Sequence, residues 1–153
     1  MLKLLFAFVI AVSCIAAQAE DDCHRVSGSI STNFLNPTTT FGTASGDLAG
    51  GIGVTVLSLK DGPAGVLTLH NQHHWVTVAG DTINADPADA VAFPSGIPGL
   101  YAASYPDGVV ITGGTGKFLN ATGKIFAWGA IDTSKNEVVL RYEGKVCLAH
   151  GNE

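Results

Sequence analysis

From residue 20 onward, apolar and polar residues alternate with a period of two far more often than with the 3.6 of a helix, and Gly, Asp, Asn and Pro interrupt the alternation at intervals. The pattern predicts an all-β chain. Strands are expected near 23–32, 38–48, 52–60, 64–79, 81–85, 108–112, 123–132 and 136–148, separated by turn formers such as Lys60-Asp61-Gly62-Pro63, Ala79-Gly80-Asp81 and Asp107-Gly108. Eight antiparallel strands suffice to close an up-and-down barrel whose interior is filled by side chains or holds one small ligand. The segment from Asp86 to Pro106 carries four of the six prolines, at 87, 94, 98 and 106, and is expected to be a long loop rather than a central strand. Its Phe93, Leu100, Tyr101 and Tyr105 would pack it over one end of the barrel.

Alternation also assigns faces. Leu67, Leu69, Asn71, His73 and Trp75 share one face, and Val138, Leu140, Tyr142 and Val146 share another, so both sets are expected to point inward. On the strand before the last, Ile125, Ala127 and Ile131 would face inward and Phe126 and Trp128 outward; the inverted parity would instead bury the two aromatic rings. An exposed aromatic pair is the kind of surface that marks a subunit interface.

Residues 1–19 hold a lone Lys3, an apolar run from Leu4 to Ala17 and Ala17-Gln18-Ala19 before Glu20, the three parts of a secretory signal peptide. The run is shorter than the roughly 20 apolar residues of a membrane anchor. The chain is therefore read as secreted, with one domain over 20–153. Removing 19 of the 153 residues leaves 134, and losing Lys3 takes the formal net charge from −5 to −6. With 14% charged residues and no basic cluster, the chain lacks the footprint of a nucleic-acid or anionic-membrane partner.

Two cysteines remain beyond the leader, Cys23 and Cys147. Parity places both on the polar faces of the first and last strands, so in an oxidising compartment they are expected to pair rather than stay as free thiols. The bridge would constrain the unfolded chain by about 4 to 5 kcal/mol in the chain-entropy account.

The stretch Val109-Val110-Ile111-Thr112-Gly113-Gly114-Thr115-Gly116-Lys117-Phe118-Leu119-Asn120-Ala121-Thr122-Gly123 runs from an apolar strand into a glycine-rich corner. Glycines at 113, 114, 116 and 123 imply backbone closed to residues with a Cβ, or a close chain-to-chain approach, where a plain flexible loop is the alternative. Gly-Gly-Thr-Gly-Lys is not a phosphate loop: Ile111 stands where a Walker motif needs glycine, and Phe118 where it needs Ser or Thr. The corner, with Gly46-Asp47-Leu48 and the tail Val138 to Gly144, resembles the allene oxide cyclase-like and dirigent-like β-barrels over roughly residues 44–147. That resemblance implies a calycin-like pocketed barrel, a bridge between chain ends as in dirigent proteins, a cofactor-free steering or cyclising role, and a homo-oligomer, commonly a trimer. The families' carboxylate and arginine positions find no counterpart, since Glu143 and Arg141 fall on the outer face and Asp47 matches only the Gly-Asp-Leu element.

The run Leu69-His70-Asn71-Gln72-His73-His74-Trp75 invites a metal reading that strand geometry opposes. His70 and His74 would lie about 13 Å apart, at roughly 3.3 Å per residue, with His73 on the other face. No metal or cofactor is expected, and no nucleophile or paired-carboxylate motif appears. The expected ligand is a small, largely apolar molecule. The pocket candidates are His73, Trp75, Asp47 and Tyr142, with His73 either a pocket group or a hydrogen-bonded core residue; a barrel that only binds or interacts, without chemistry, is the alternative.

Overall fold

A computed structural model describes residues 22–149, and the expected signal peptide at 1–19 lies outside them. The described residues form strands β1 (Asp22–Asn36), β2 (Thr39–Gly46), β3 (Gly50–Asp61), β4 (Leu67–Thr77), β5 (Thr82–Ala85), β6 (Ala88–Pro94), β7 (Leu100–Ser104), β8 (Val109–Gly114), β9 (Thr122–Asp132) and β10 (Glu137–Leu148). All ladders are antiparallel. These strands occupy eight positions in a closed barrel, because β5 and β6 run in line along β4 while β7 and β8 run in line along β9. Pairing of β10 with both β9 and β1 closes the ring.

The expected loop at 86–106 is corrected. It supplies β6 and β7, which pair with each other and with β4 and β9 to complete the wall. The prolines permit this because none has to donate in mid-ladder: Pro87 falls in the break after β5, Pro94 ends β6, Pro98 sits in the turn, and Pro106 falls in the break before β8. Tyr105 belongs to the wall and not to a cover, with its backbone N–H bonded to the Ala127 carbonyl at 2.9 Å.

The two ends of the barrel differ. One end carries the β2–β3, β4–β5 and β8–β9 connections and is plugged by buried Val26, Leu48, Trp75, Phe118, Ala121 and Val146. The Leu48 backbone is clamped there: its N–H donates to the Tyr142 hydroxyl at 2.9 Å, and its carbonyl accepts from Trp75 Nε1 at 2.9 Å. Tyr142 in turn donates to the Ser45 carbonyl at 2.9 Å, and its ring meets Trp75 edge-on at 5.6 Å between centroids. At the same end Cys23 and Cys147, directly opposed in the β1–β10 register, form a disulfide on the outer surface. The bridge thus ties the first strand to the last where the barrel closes.

The glycine corner is fixed rather than loose. Gly113, Gly114, Gly116 and Gly123 have φ of +138°, +159°, +54° and +156°, conformations that disfavour a side chain. At Gly114 a Cβ would also lie 2.0 Å from the Thr82 carbonyl oxygen, so chain meets chain there. Phe118, buried beneath the turn, anchors the corner to the plug.

Candidate functional site

Inside the barrel, bounded at one end by the plug, lies a cavity of about 90 Å³. It exists because one wall is built of small side chains. Ala85, Ala90, Ala103 and Ala127 line it, on β5, β6, β7 and β9, opposite the larger Ile30, Phe34, Ile52 and Val54 of β1 and β3. The cavity reaches toward the end that carries the β1–β2, β3–β4, β6–β7 and β9–β10 turns. There the inward-facing Phe34, Val54, Val56, Leu69, Ile131 and Val138 are only half-buried, in contrast to the buried plug opposite. An apolar interior therefore has a mouth.

A polar cluster interrupts the largely apolar wall at mid-depth, where Thr32 and Thr40 also line the cavity. Asn71 and His73, inward by the alternation of β4, converge on Tyr105: Asn71 Nδ2 donates to its hydroxyl at 2.9 Å, and His73 Nε2 lies 3.1 Å from the same oxygen. The His73 and Tyr105 rings are tilted, with centroids 5.2 Å apart. Burial, reinforced by the neighbouring His74, lowers the His73 pKa from 6.5 to about 4, so the imidazole is neutral at physiological pH. Burial likewise pushes Tyr105 up to about 12, against the opposing effect of the Asn71 hydrogen bond, so its hydroxyl keeps its proton. Since that hydroxyl already accepts from Asn71, its proton is free to donate to His73 Nε2, which leaves the imidazole proton on Nδ1. His73 Nδ1 and Asn71 Oδ1 are then a buried donor and a buried acceptor with no partner among the described residues.

Of the four pocket candidates, the structure brings His73, Trp75 and Tyr142 to the cavity wall. Tyr142 spends its hydroxyl on the plug, and Trp75 spends its N–H there too. Asp47 is elsewhere. It is exposed in the β2–β3 connection, where its carboxylate accepts from the Ser27 backbone N–H at 2.7 Å and the Ser27 hydroxyl at 3.3 Å. Tyr105 was missed because the whole of 86–106 reads as loop, although the run Ala103-Ser104-Tyr105 ahead of Pro106 has the small-polar-aromatic alternation of a strand end.

His70 and His74 lie outside the barrel, His70 bonded through Nδ1 to Asp89 at 2.7 Å and His74 beside the Thr55 hydroxyl at 3.5 Å. Among the described residues no three His, Cys, Asp or Glu side chains gather as a metal site, and no Asp, Glu, Lys or Arg lines the cavity. The interior can therefore hold an apolar body and offer neutral hydrogen bonds to it. No family model matches this chain, and comparison with curated proteins and with solved structures likewise gives no match.

Proposed function

We propose that this protein is an exported β-barrel that binds a small, largely apolar molecule in its interior. The observation that carries the reading is the half-buried apolar lining at one end of the barrel, continuous with a cavity that holds the Asn71, His73 and Tyr105 cluster. Export is supported by the leader-like residues 1–19 and by the Cys23–Cys147 disulfide. No helix among the described residues is long and apolar enough to cross a membrane.

The glycine corner supports placing the chain, as a proposal, beside the allene oxide cyclase-like and dirigent-like barrels. On that reading the cavity acts by shape: holding a reactive apolar molecule in one pose favours one ring closure or coupling over others, without a cofactor. With no charged side chain in the wall, simple binding needs fewer assumptions than catalysis, and it is the form of the proposal put to test. Saturation-transfer NMR with toluene, which has no polar group, is expected to show transfer from the wild type. Ala103→Phe, which fills the small-residue wall, should abolish transfer while circular dichroism stays that of a folded barrel. No transfer in the wild type, or undiminished transfer in a folded Ala103→Phe, would refute internal binding.

A second reading is favoured by the outer face of β9. Phe126 and Trp128 are each 41% exposed, with Val139 at 46% on the adjacent strand, while Ile125 and Ala127 face inward as expected. We propose this face, where Arg141 and Glu143 stand opposite the two exposed rings, as a contact between copies of the chain, a trimer if the resemblance holds.

A further inference from the structure

We propose that the molecule bound inside the barrel carries one neutral group that both donates and accepts a hydrogen bond, an alcohol, placed between Asn71 and His73 with its apolar body along the alanine wall. The inference rests on the reading of the barrel as a binder of apolar molecules, and adds the chemistry of the ligand's polar end. Three observations carry it.

First, the partnerless atoms come as a complementary pair. Asn71 Oδ1 accepts only, while His73 Nδ1, with Nε2 engaged by Tyr105, carries the proton and donates. Both belong to residues that line the cavity and are held on the same Tyr105 oxygen. Buried polar groups are nearly always bonded in folded proteins, and those that are not point to a missing partner. A hydroxyl fills both roles with one oxygen, as a water would, and brings an apolar body for the remaining cavity.

Second, nothing in the lining answers a charge. Among the described residues no Asp, Glu, Lys or Arg reaches the cavity, and the two tyrosines and the histidine that do are kept uncharged by their surroundings. A carboxylate or ammonium ligand would lose its hydration without gaining a counter-charge. Third, the cavity of about 90 Å³ is larger than a single water needs but smaller than a drug-sized pocket, which suits a short chain or a single ring.

The test is a panel of equal carbon skeletons, hexanol, hexanal, hexanoate and hexane, titrated at neutral pH into the full-length exported protein with ¹H–¹⁵N NMR as readout. The Trp75 indole, on the cavity wall, reports occupancy. Hexanol is expected to bind about tenfold tighter than hexane and than hexanoate, since two hydrogen bonds are gained over the first and a desolvated charge is avoided against the second. Hexanal, which accepts but cannot donate, should fall between hexanol and hexane. Asn71→Leu should bring hexanol down to the affinity of hexane; if that variant does not fold, His73→Phe serves, since it removes the donor while keeping an inward ring. Equal binding of hexanol and hexane to the wild type overturns the inference and leaves internal apolar binding standing. Tighter binding of hexanoate overturns it as well. Absence of binding by every member overturns both this inference and the reading beneath it.

Discussion

At His73 the cost of burying a charge outweighs everything else the imidazole meets. Its pKa falls from 6.5 in the open chain to about 4 in the barrel, so between those values the unfolded state binds the proton that the folded state refuses. The sign follows. Stability is highest above pH 6.5, declines as pH falls toward 4, and loses nothing further from this residue below that. The full span corresponds to about 3 kcal/mol. Urea unfolding across this range should therefore show a steeper acid loss in the wild type than in His73→Phe, and parallel curves would contradict the buried neutral imidazole. The inward direction of His73 was legible from alternation alone, since Leu69, Asn71 and Trp75 share its parity. That of Asp47 was legible too and argues the other way: alternation between inward Ala44 and Leu48 sends it outward, and only the Gly-Asp-Leu match made it a candidate. The partners of His73 were not legible, because a hydrogen bond between β4 and Tyr105 spans 32 residues and depends on how the sheet closes.

At the scale of elements, glycine and proline carried most of the readable signal and also the largest error. The corner at 113–116 reads correctly as rigid because several glycines in one turn have few explanations other than positive φ and close approach. Its rigidity is testable. Gly114→Ala should cost about 2 kcal/mol or more, from a Cβ forced against the Thr82 carbonyl at a φ of +159°. Gly53→Ala, at ordinary φ with its nearest neighbours at 3.5 Å, should change thermal stability little, so equal melting shifts in the two variants would contradict this account of the corner. The prolines misled because their spacing was read as one long interruption, whereas they mark the ends of two short strands. Alanine compounds the problem: Ala88, Ala90 and Ala92 alternate properly but have weak strand propensity, so β6 left little trace in the pattern. Those same small side chains help make the cavity, and the element hardest to read is therefore part of the one that creates the site.

For the molecule as a whole, closure of the sheet explains why one disulfide sits where it does. Cys23 and Cys147 join strands that meet only when the ring is complete, and reduction should lower stability by up to about 5 kcal/mol without altering the strand content of the protein that stays folded. The exposed Phe126 and Trp128 on the outer face of β9 predict association: wild type should sediment as an oligomer at micromolar concentration, and Trp128→Glu should fold and sediment smaller. A monomeric wild type would remove the interface, and an unfolded variant would mean that Trp128 acts as a core residue. The central claim, however, is that the barrel holds an open apolar space rather than a filled core. Diffraction from crystals pressurised with xenon tests this most directly, because xenon enters apolar cavities and is seen without any assumption about the natural ligand. Xenon density between Ala90, Ala103 and Ile125, reached from the β1–β2 end, is the predicted result; an interior closed by side chains, with xenon absent or only on the outer surface, would contradict it.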